Sequence, residues 1–222
     1  MSIKVDHLVR TRRKTIALVV ERDGKLTVRA PLRLSEARIR EFVEAHANWI
    51  ARNQKRVKQV AVAPKEYKDG EKFLFLGQAF PLVIVPRQKA NLTFDGTNFL
   101  LAKSAIPRAQ EAFVRWYKVQ AYQEIQSRLR LLSVQHKLDY EKVRISSART
   151  RWGSCSTKGT LSFTWRLIMA PPQVVEYVII HELVHTKVKN HSKEFWGGVE
   201  KIMPGYKTCV RWLKKNGSYL TF

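Results

Sequence analysis

Apolar positions over the first hundred residues recur mostly at strand spacing. Thr15 to Val20 and Leu26 to Ala30 are β-rich runs separated by Arg22-Asp23-Gly24-Lys25. Asp and Gly tolerate the positive φ of tight hairpin turns, so the pattern predicts a hairpin. Ser35 is an N-cap candidate for a helix to about Val57, in which Ile39, Phe42, Val43, Ala47 and Ile50 recur at helical spacing. Phe73 to Leu76 and Phe80 to Val85 predict a second hairpin through Gly77-Gln78. Leu92 to Phe94 and Phe99 to Leu101 predict a third across Asp95-Gly96-Thr97-Asn98. The three together imply an antiparallel, hairpin-rich lobe with one helix over residues 1–105.

The period then changes. From about Arg108 to Leu132 the residues Phe113, Trp116, Tyr117, Ala121 and Ile125 fall on one side of a long helix. Strands are expected at Val143 to Ser147 and Leu161 to Leu167, around a turn at Thr157-Lys158-Gly159. Pro171-Pro172 then suits the first turn of a helix through Val174, Val175, Val178 and Ile179. Residues 106–222 read as a second, helical lobe with a small antiparallel sheet, which makes the chain α+β.

That last helix carries the chemistry. The run Tyr177-Val-Ile-Ile-His-Glu-Leu-Val-His185, followed by His191, holds three of the six histidines of the chain. On a helix His181 and His185 lie about 40° apart and roughly 6 Å along the axis, so both rings can reach one ion. Glu182 leaves about 100° round the axis, outside that ligand set but within reach of a water on the ion's open side. In an unbroken helix His191 would point about 240° away from His185, so the helix must end between them. Thr186 and Val188 are β-branched, and Asn190 is comfortable in the left-handed conformation that closes helices. Three imidazoles and one open position suit a single catalytic zinc ion, with Glu182 taking the proton of the water. Affinity order also admits nickel or cobalt.

Composition adds a partner class without naming it. The 222 residues carry 41 Lys plus Arg against 18 Asp plus Glu, a formal charge of +23, which favours anionic partners such as nucleotides or nucleic acid. The basic residues are spread along the chain, with one local knot at Arg10, Arg12, Arg13 and Lys14, and there is no aromatic-interleaved RNA-binding pattern. No apolar run approaches the roughly 18 residues of a membrane span, and the charged N-terminus lacks the core of a secretory signal, so a cytoplasmic protein with no membrane partner is expected. Cys155 and Cys209 are too few for a disulfide framework.

Four segments in order carry a family resemblance: Arg149-Thr-Arg-Trp-Gly-Ser-Cys-Ser156, Leu161-Ser-Phe-Thr-Trp-Arg-Leu167 with Pro171, the helix Tyr177 to His185, and Asn190-His-Ser-Lys-Glu-Phe-Trp196. The chain resembles the YgjP-like metallopeptidase-domain proteins, relatives of SprT-like and WLM zincins. The resemblance implies a zincin-like lobe, zinc on His181, His185 and His191, and a catalytic Glu182. Metzincins share the ligand spacing but carry glycine where this chain has Val188, and no methionine turn is identifiable, so the chain is not placed among them.

Further residues have two readings each. Arg149 and Arg151 can hold an anionic substrate group or transition state, or form structural salt bridges. Trp152 reads as core packing. Cys155 reads as a small core residue rather than an extra ligand. Tyr206 can offer its hydroxyl to a developing oxyanion. Three functions follow. The first is a metallopeptidase acting on peptide or protein. The second is a metal-dependent hydrolase of nucleoside triphosphates, with Arg149 or Arg151 on the phosphates. The third is a nucleic-acid-associated SprT-like protease, or a basic binding protein whose zinc is structural and whose nucleic-acid contacts are non-specific.

Overall fold

The structure is a computed structural model that describes residues 3–21, 24–59 and 64–221. Packing divides the chain into two units, Met1–Ala63 and Pro64–Phe222.

In the first unit, strands β1 (His7–Thr11), β2 (Ala17–Val20) and β3 (Leu26–Pro31) form a sheet in the order β1-β3-β2. The β2–β3 pair is the antiparallel hairpin expected from the sequence, with Gly24 at φ 84° in its turn, while Arg22 and Asp23 lie outside the described residues. β1 was hidden in the charged N-terminal run, and it pairs parallel to β3. Ser35 caps α1 (Glu36–Ala45), its Oγ accepting from the Arg38 N–H. A break at His46 separates α1 from α2 (Ala47–Gln59), where one continuous helix was expected. The His46 ring is bound to the Phe42 carbonyl at 2.7 Å. Leu26, Val28 and Ala30 of the sheet and Ile39, Val43 and Ile50 of the helices form a small core.

The second unit contains both remaining sheets. Strands β4 (Lys72–Phe75), β5 (Gln78–Val85), β6 (Leu92–Phe94) and β7 (Phe99–Ala102) run in the order β4-β5-β7-β6. The two expected hairpins, β4–β5 and β6–β7, are antiparallel, but β5 and β7 join them in parallel. The sheets are therefore mixed rather than antiparallel throughout. Asp95 closes the second of these hairpins by accepting from the Thr97 and Asn98 N–H groups, which hold its carboxyl down at about 2.

The division falls at Ala63/Pro64 and not near residue 105, for a reason visible in the packing. Helix α3 (Ala109–His136) buries Phe113, Tyr117, Ala121, Ile125 and Leu129 completely. Phe113 stacks on Phe73 of β4 at 4.0 Å and lies 5.4 Å from Phe99 of β7, and the Tyr117 hydroxyl donates to the Leu74 carbonyl. Each such aromatic contributes roughly 1.5–3 kcal/mol by leaving water, so these hairpins share the helix's core.

The same hairpins set the start of the site helix. Leu76 and Gly77 both take positive φ, 47° and 81°, the pattern of a type I′ turn. Their N–H groups donate to the Ile168 and Met169 carbonyls of the 3-10 segment Trp165–Met169, and a Cβ on Gly77 would lie 2.8 Å from the Pro171 Cα. That contact pins the N-cap of α4 (Pro172–Val184). β8 (Lys142–Ser146), β9 (Gly153–Cys155) and β10 (Thr160–Thr164) form the third sheet, order β8-β10-β9, with β8 parallel and β9 antiparallel to β10. α5 (Lys193–Ile202) and α6 (Tyr206–Asn216) complete the unit. Among the described residues no helix is long and apolar enough to cross a membrane.

Candidate metal centre

α4 is apolar on nearly every side, which suits a helix enclosed by neighbours, and it touches α3, α5, α6 and β9. Its last turn carries His181 and Glu182, and His185 is the residue that ends it. The Thr186 and Lys187 N–H groups bond back three residues, to Leu183 and Val184, so the terminus tightens and stops. The expected break is therefore present, but Asn190 does not make it through a left-handed conformation. The positive-φ non-glycine residues among those described are Tyr67, Leu76 and Lys137. Asn190 instead accepts the Ser192 N–H on its side-chain oxygen at 3.3 Å, and Ser192 caps α5 through the Phe195 N–H. The turn swings His191 back over the end of α4.

Three ring nitrogens then face one point. His191 Nε2 lies 3.1 Å from His181 Nε2 and 3.2 Å from His185 Nε2, and all three lie within 4.8 Å of one another. His185 Nδ1 is 2.9 Å from the Val188 carbonyl oxygen. A carbonyl can only accept, so Nδ1 carries the proton and His185 Nε2 presents its lone pair to the cluster. No single proton on His191 can serve both 3.1 and 3.2 Å contacts, whereas a cation at the common point serves all three nitrogens. Burial holds the His181 ring at about 4, helped by the charges of His185 and His191. Burial lowers His185 as well, against the Val188 carbonyl, which raises it. Both rings are thus neutral near pH 7, as ligands must be.

Aromatic rings fix this geometry. Phe195, fully buried, stacks on His185 at 4.2 Å and meets His181 and His191 edge-on, each at 4.9 Å. The Tyr177 hydroxyl, one turn before His181, reaches that ring's Nδ1 at 3.5 Å. His185 is buried and His191 exposed, so the common point opens to solvent on the His191 side.

Glu182 sits beside this cluster at 5% exposure, and burial pushes its carboxyl up to about 7 against the pull of Arg151. It has room because residue 153 is glycine: a Cβ there would stand 2.5 Å from both Glu182 Cγ and Oε1. Of the two arginines singled out from the sequence, exposed Arg151 acts on the carboxylate, while Arg149 is exposed and has no ion pair or hydrogen bond among the described residues. Tyr206 is buried at the start of α6, its ring stacked between Tyr177 at 6.1 Å and Trp196 at 5.5 Å. Cys155 and Cys209 are both free thiols. Cys155 contacts Lys189 and does not belong to the histidine cluster. Trp152 packs on Gly217, as core packing requires. Sequence reasoning overlooked Gly153, Tyr177 and the Val188 carbonyl. The spacing of Tyr177, four residues before His181, was the one signal available.

Three convergent imidazoles beside a buried carboxylate are the site of a metal-dependent hydrolase. The chain belongs to the YgjP-like family, whose model, described as YgjP-like, metallopeptidase domain, matches residues 14–216. It is accordingly an enzyme of the metal-dependent peptidase type. No curated protein matches it. Among solved structures it is similar to the crystal structure of the metallopeptidase zymogen of Pyrococcus abyssi abylysin, at 28% identity over 41% of this chain and 93% of that one, with a TM-score of 0.38.

Proposed function

We propose that the protein is a zinc-dependent peptidase whose ion is held by His181, His185 and His191 and whose proton carrier is Glu182. The observation that carries the reading is the pair of Nε2 separations, 3.1 and 3.2 Å. Zinc–imidazole bonds are about 2.0–2.1 Å, which puts the nitrogens of a tetrahedral set roughly 3.3 Å apart. Among the described residues the donor set is all imidazole with no fourth protein ligand, the pattern of a catalytic rather than a structural site. When bound, zinc supplies a Lewis acid that polarises a substrate carbonyl and makes water more acidic.

The residues divide the remaining work. The Val188 carbonyl and Phe195 hold the ligand rings in place. Glu182, with its carboxyl near 7, can accept a proton from water and return it to the leaving amine at neutral pH. Arg151 offers a positive charge beside that carboxylate, which favours its ionised form. β9 is an edge strand directly against Glu182, so an extended peptide could pair with it while its carbonyl lies at the ion.

The test is cleavage of a peptide mixture by zinc-loaded protein, beside Glu182→Gln. The substitution keeps the shape and removes the proton carrier, and a fall in kcat of at least about 100-fold is expected with zinc still bound. Unchanged cleavage by that variant would overturn the mechanism. Phosphate or pyrophosphate release from nucleoside triphosphates, measured in parallel, would instead favour an anionic nucleotide substrate.

A further inference from the structure

A groove of about 330 Å³ lies between α5 and α6, lined by Trp196, Tyr206, Lys207, Val210 and Arg211. It adjoins the metal centre through one ring. Trp196 lies 5.8 Å from His181 and 5.7 Å from His191, and its plane is nearly parallel to that of Tyr206, 5.5 Å away. The floor is therefore aromatic and aliphatic, while the rim is cationic. Lys207 is 3.6 Å from Glu200, so its charge is partly answered. Arg211 is exposed and has no ion pair or hydrogen bond among the described residues. Among those residues, no acidic side chain lines the groove.

We infer that this groove receives a large apolar side chain of the peptide substrate, one or two residues from the scissile bond, and that Arg211 favours a carboxylate beside it. The inference rests on the peptidase reading and adds the substrate's character. An extended peptide advances about 3.3 Å per residue, so a chain whose carbonyl lies at the three imidazoles reaches across Trp196 with a side chain one or two positions along. A flat aromatic or branched aliphatic group packs against Trp196 and Val210, where it leaves water, while Tyr206, buried between Tyr177 and Trp196, backs that surface. A carboxylate at the rim meets a guanidinium able to grip it with two N–H donors.

Two measurements on the zinc-loaded protein decide it. In the first, cleavage sites in a peptide mixture are mapped for the wild type, Val210→Trp and Arg211→Glu. Sites with Leu, Phe, Tyr or Trp within two residues of the cut should dominate, enriched for a neighbouring Asp or Glu. Val210→Trp fills the groove and should lower kcat/KM for those peptides at least about tenfold relative to alanine-bearing ones. Arg211→Glu, a surface change that leaves the core untouched, should reverse the acidic preference by about threefold.

In the second, blocked Phe-Asp and Ala-Asp dipeptides are titrated into Glu182→Gln protein, which needs no turnover. Phe-Asp should bind about tenfold more tightly, and Val210→Trp should abolish the difference. Equal binding of the two dipeptides, or no binding of either, overturns the groove assignment whatever the cleavage result. The expected binding without cleavage by the wild type would leave the groove standing and remove the peptidase reading. Cleavage indifferent to large apolar residues would do the opposite.

Discussion

Gly153 and Glu182 occupy space that only one of them can fill. Any side chain at 153 would overlap the Glu182 Cγ and Oε1, both 2.5 Å from where its Cβ would stand. Gly153 does not have a positive φ, so alanine suits its backbone, and the three atoms nearest its Cβ all belong to the Glu182 side chain. Gly153→Ala should therefore leave the fold and metal content intact while lowering kcat/KM by about 100-fold, the scale of a misplacement near 1 Å. Metal analysis beside kinetics checks it, and loss of the ion in this variant would show that the glycine serves the ligands instead.

Removing the metal should be felt as stability. An ion that binds only the folded chain stabilises it by about 2.7 kcal/mol when present at 100 times its Kd. For the unit Pro64–Phe222 that corresponds to a fall in Tm of roughly 5–10 °C on adding chelator. His185→Ala should lack stoichiometric metal and show no response to chelator. A chelator shift that survived this substitution would place the ion elsewhere.

Glu182 should cost the metal-free protein stability at neutral pH. Burial raises its carboxyl to about 7 from the usual 4.5, so the folded state resists ionisation that the unfolded state permits. The contribution is favourable below pH 4.5 and is lost as pH rises through 7. Glu182→Gln, neutral at every pH, should thus be more stable than the wild type by about 1–3 kcal/mol at pH 8, and no more stable near pH 4. Denaturant melts of chelator-treated protein at the two pH values measure this. A difference independent of pH would attribute it to packing.

Ser192 links helix geometry to ligand geometry. Its hydroxyl caps α5 one residue after His191. Ser192→Ala should cost about 1 kcal/mol. It should also weaken metal binding several-fold, because the helix start that aims His191 would fray. Calorimetric titration of metal into chelator-stripped protein tests the second effect, and an unchanged Kd would mean that Phe195 alone fixes the ring.

The clustering of His181, His185 and His191 was legible because a covalent spacing, four residues and then six, dictates where imidazoles can meet once a helix is assumed. Pro171-Pro172 likewise marked the start of α4 through a fixed φ. The parallel pairing of β5 with β7 was not legible, since alternation tells which face a residue takes but not which strand lies beside it. β1 escaped for a related reason: an edge strand with every residue half or fully exposed has no apolar period to read. Gly153 escaped because its role is the absence of atoms, and the atoms it admits belong to a residue 29 positions later.

The hydrogen bond from His185 to the Val188 carbonyl is of a kind that side-chain substitution does not reach. The acceptor belongs to the main chain, so exchanging the side chain at 188 leaves the carbonyl that sets the His185 tautomer in place. His181 faces the phenol of Tyr177 instead. The two rings thus differ in what a substitution can reach: a change of side chain at 177 removes the contact to His181, whereas the contact to His185 is carried by the backbone.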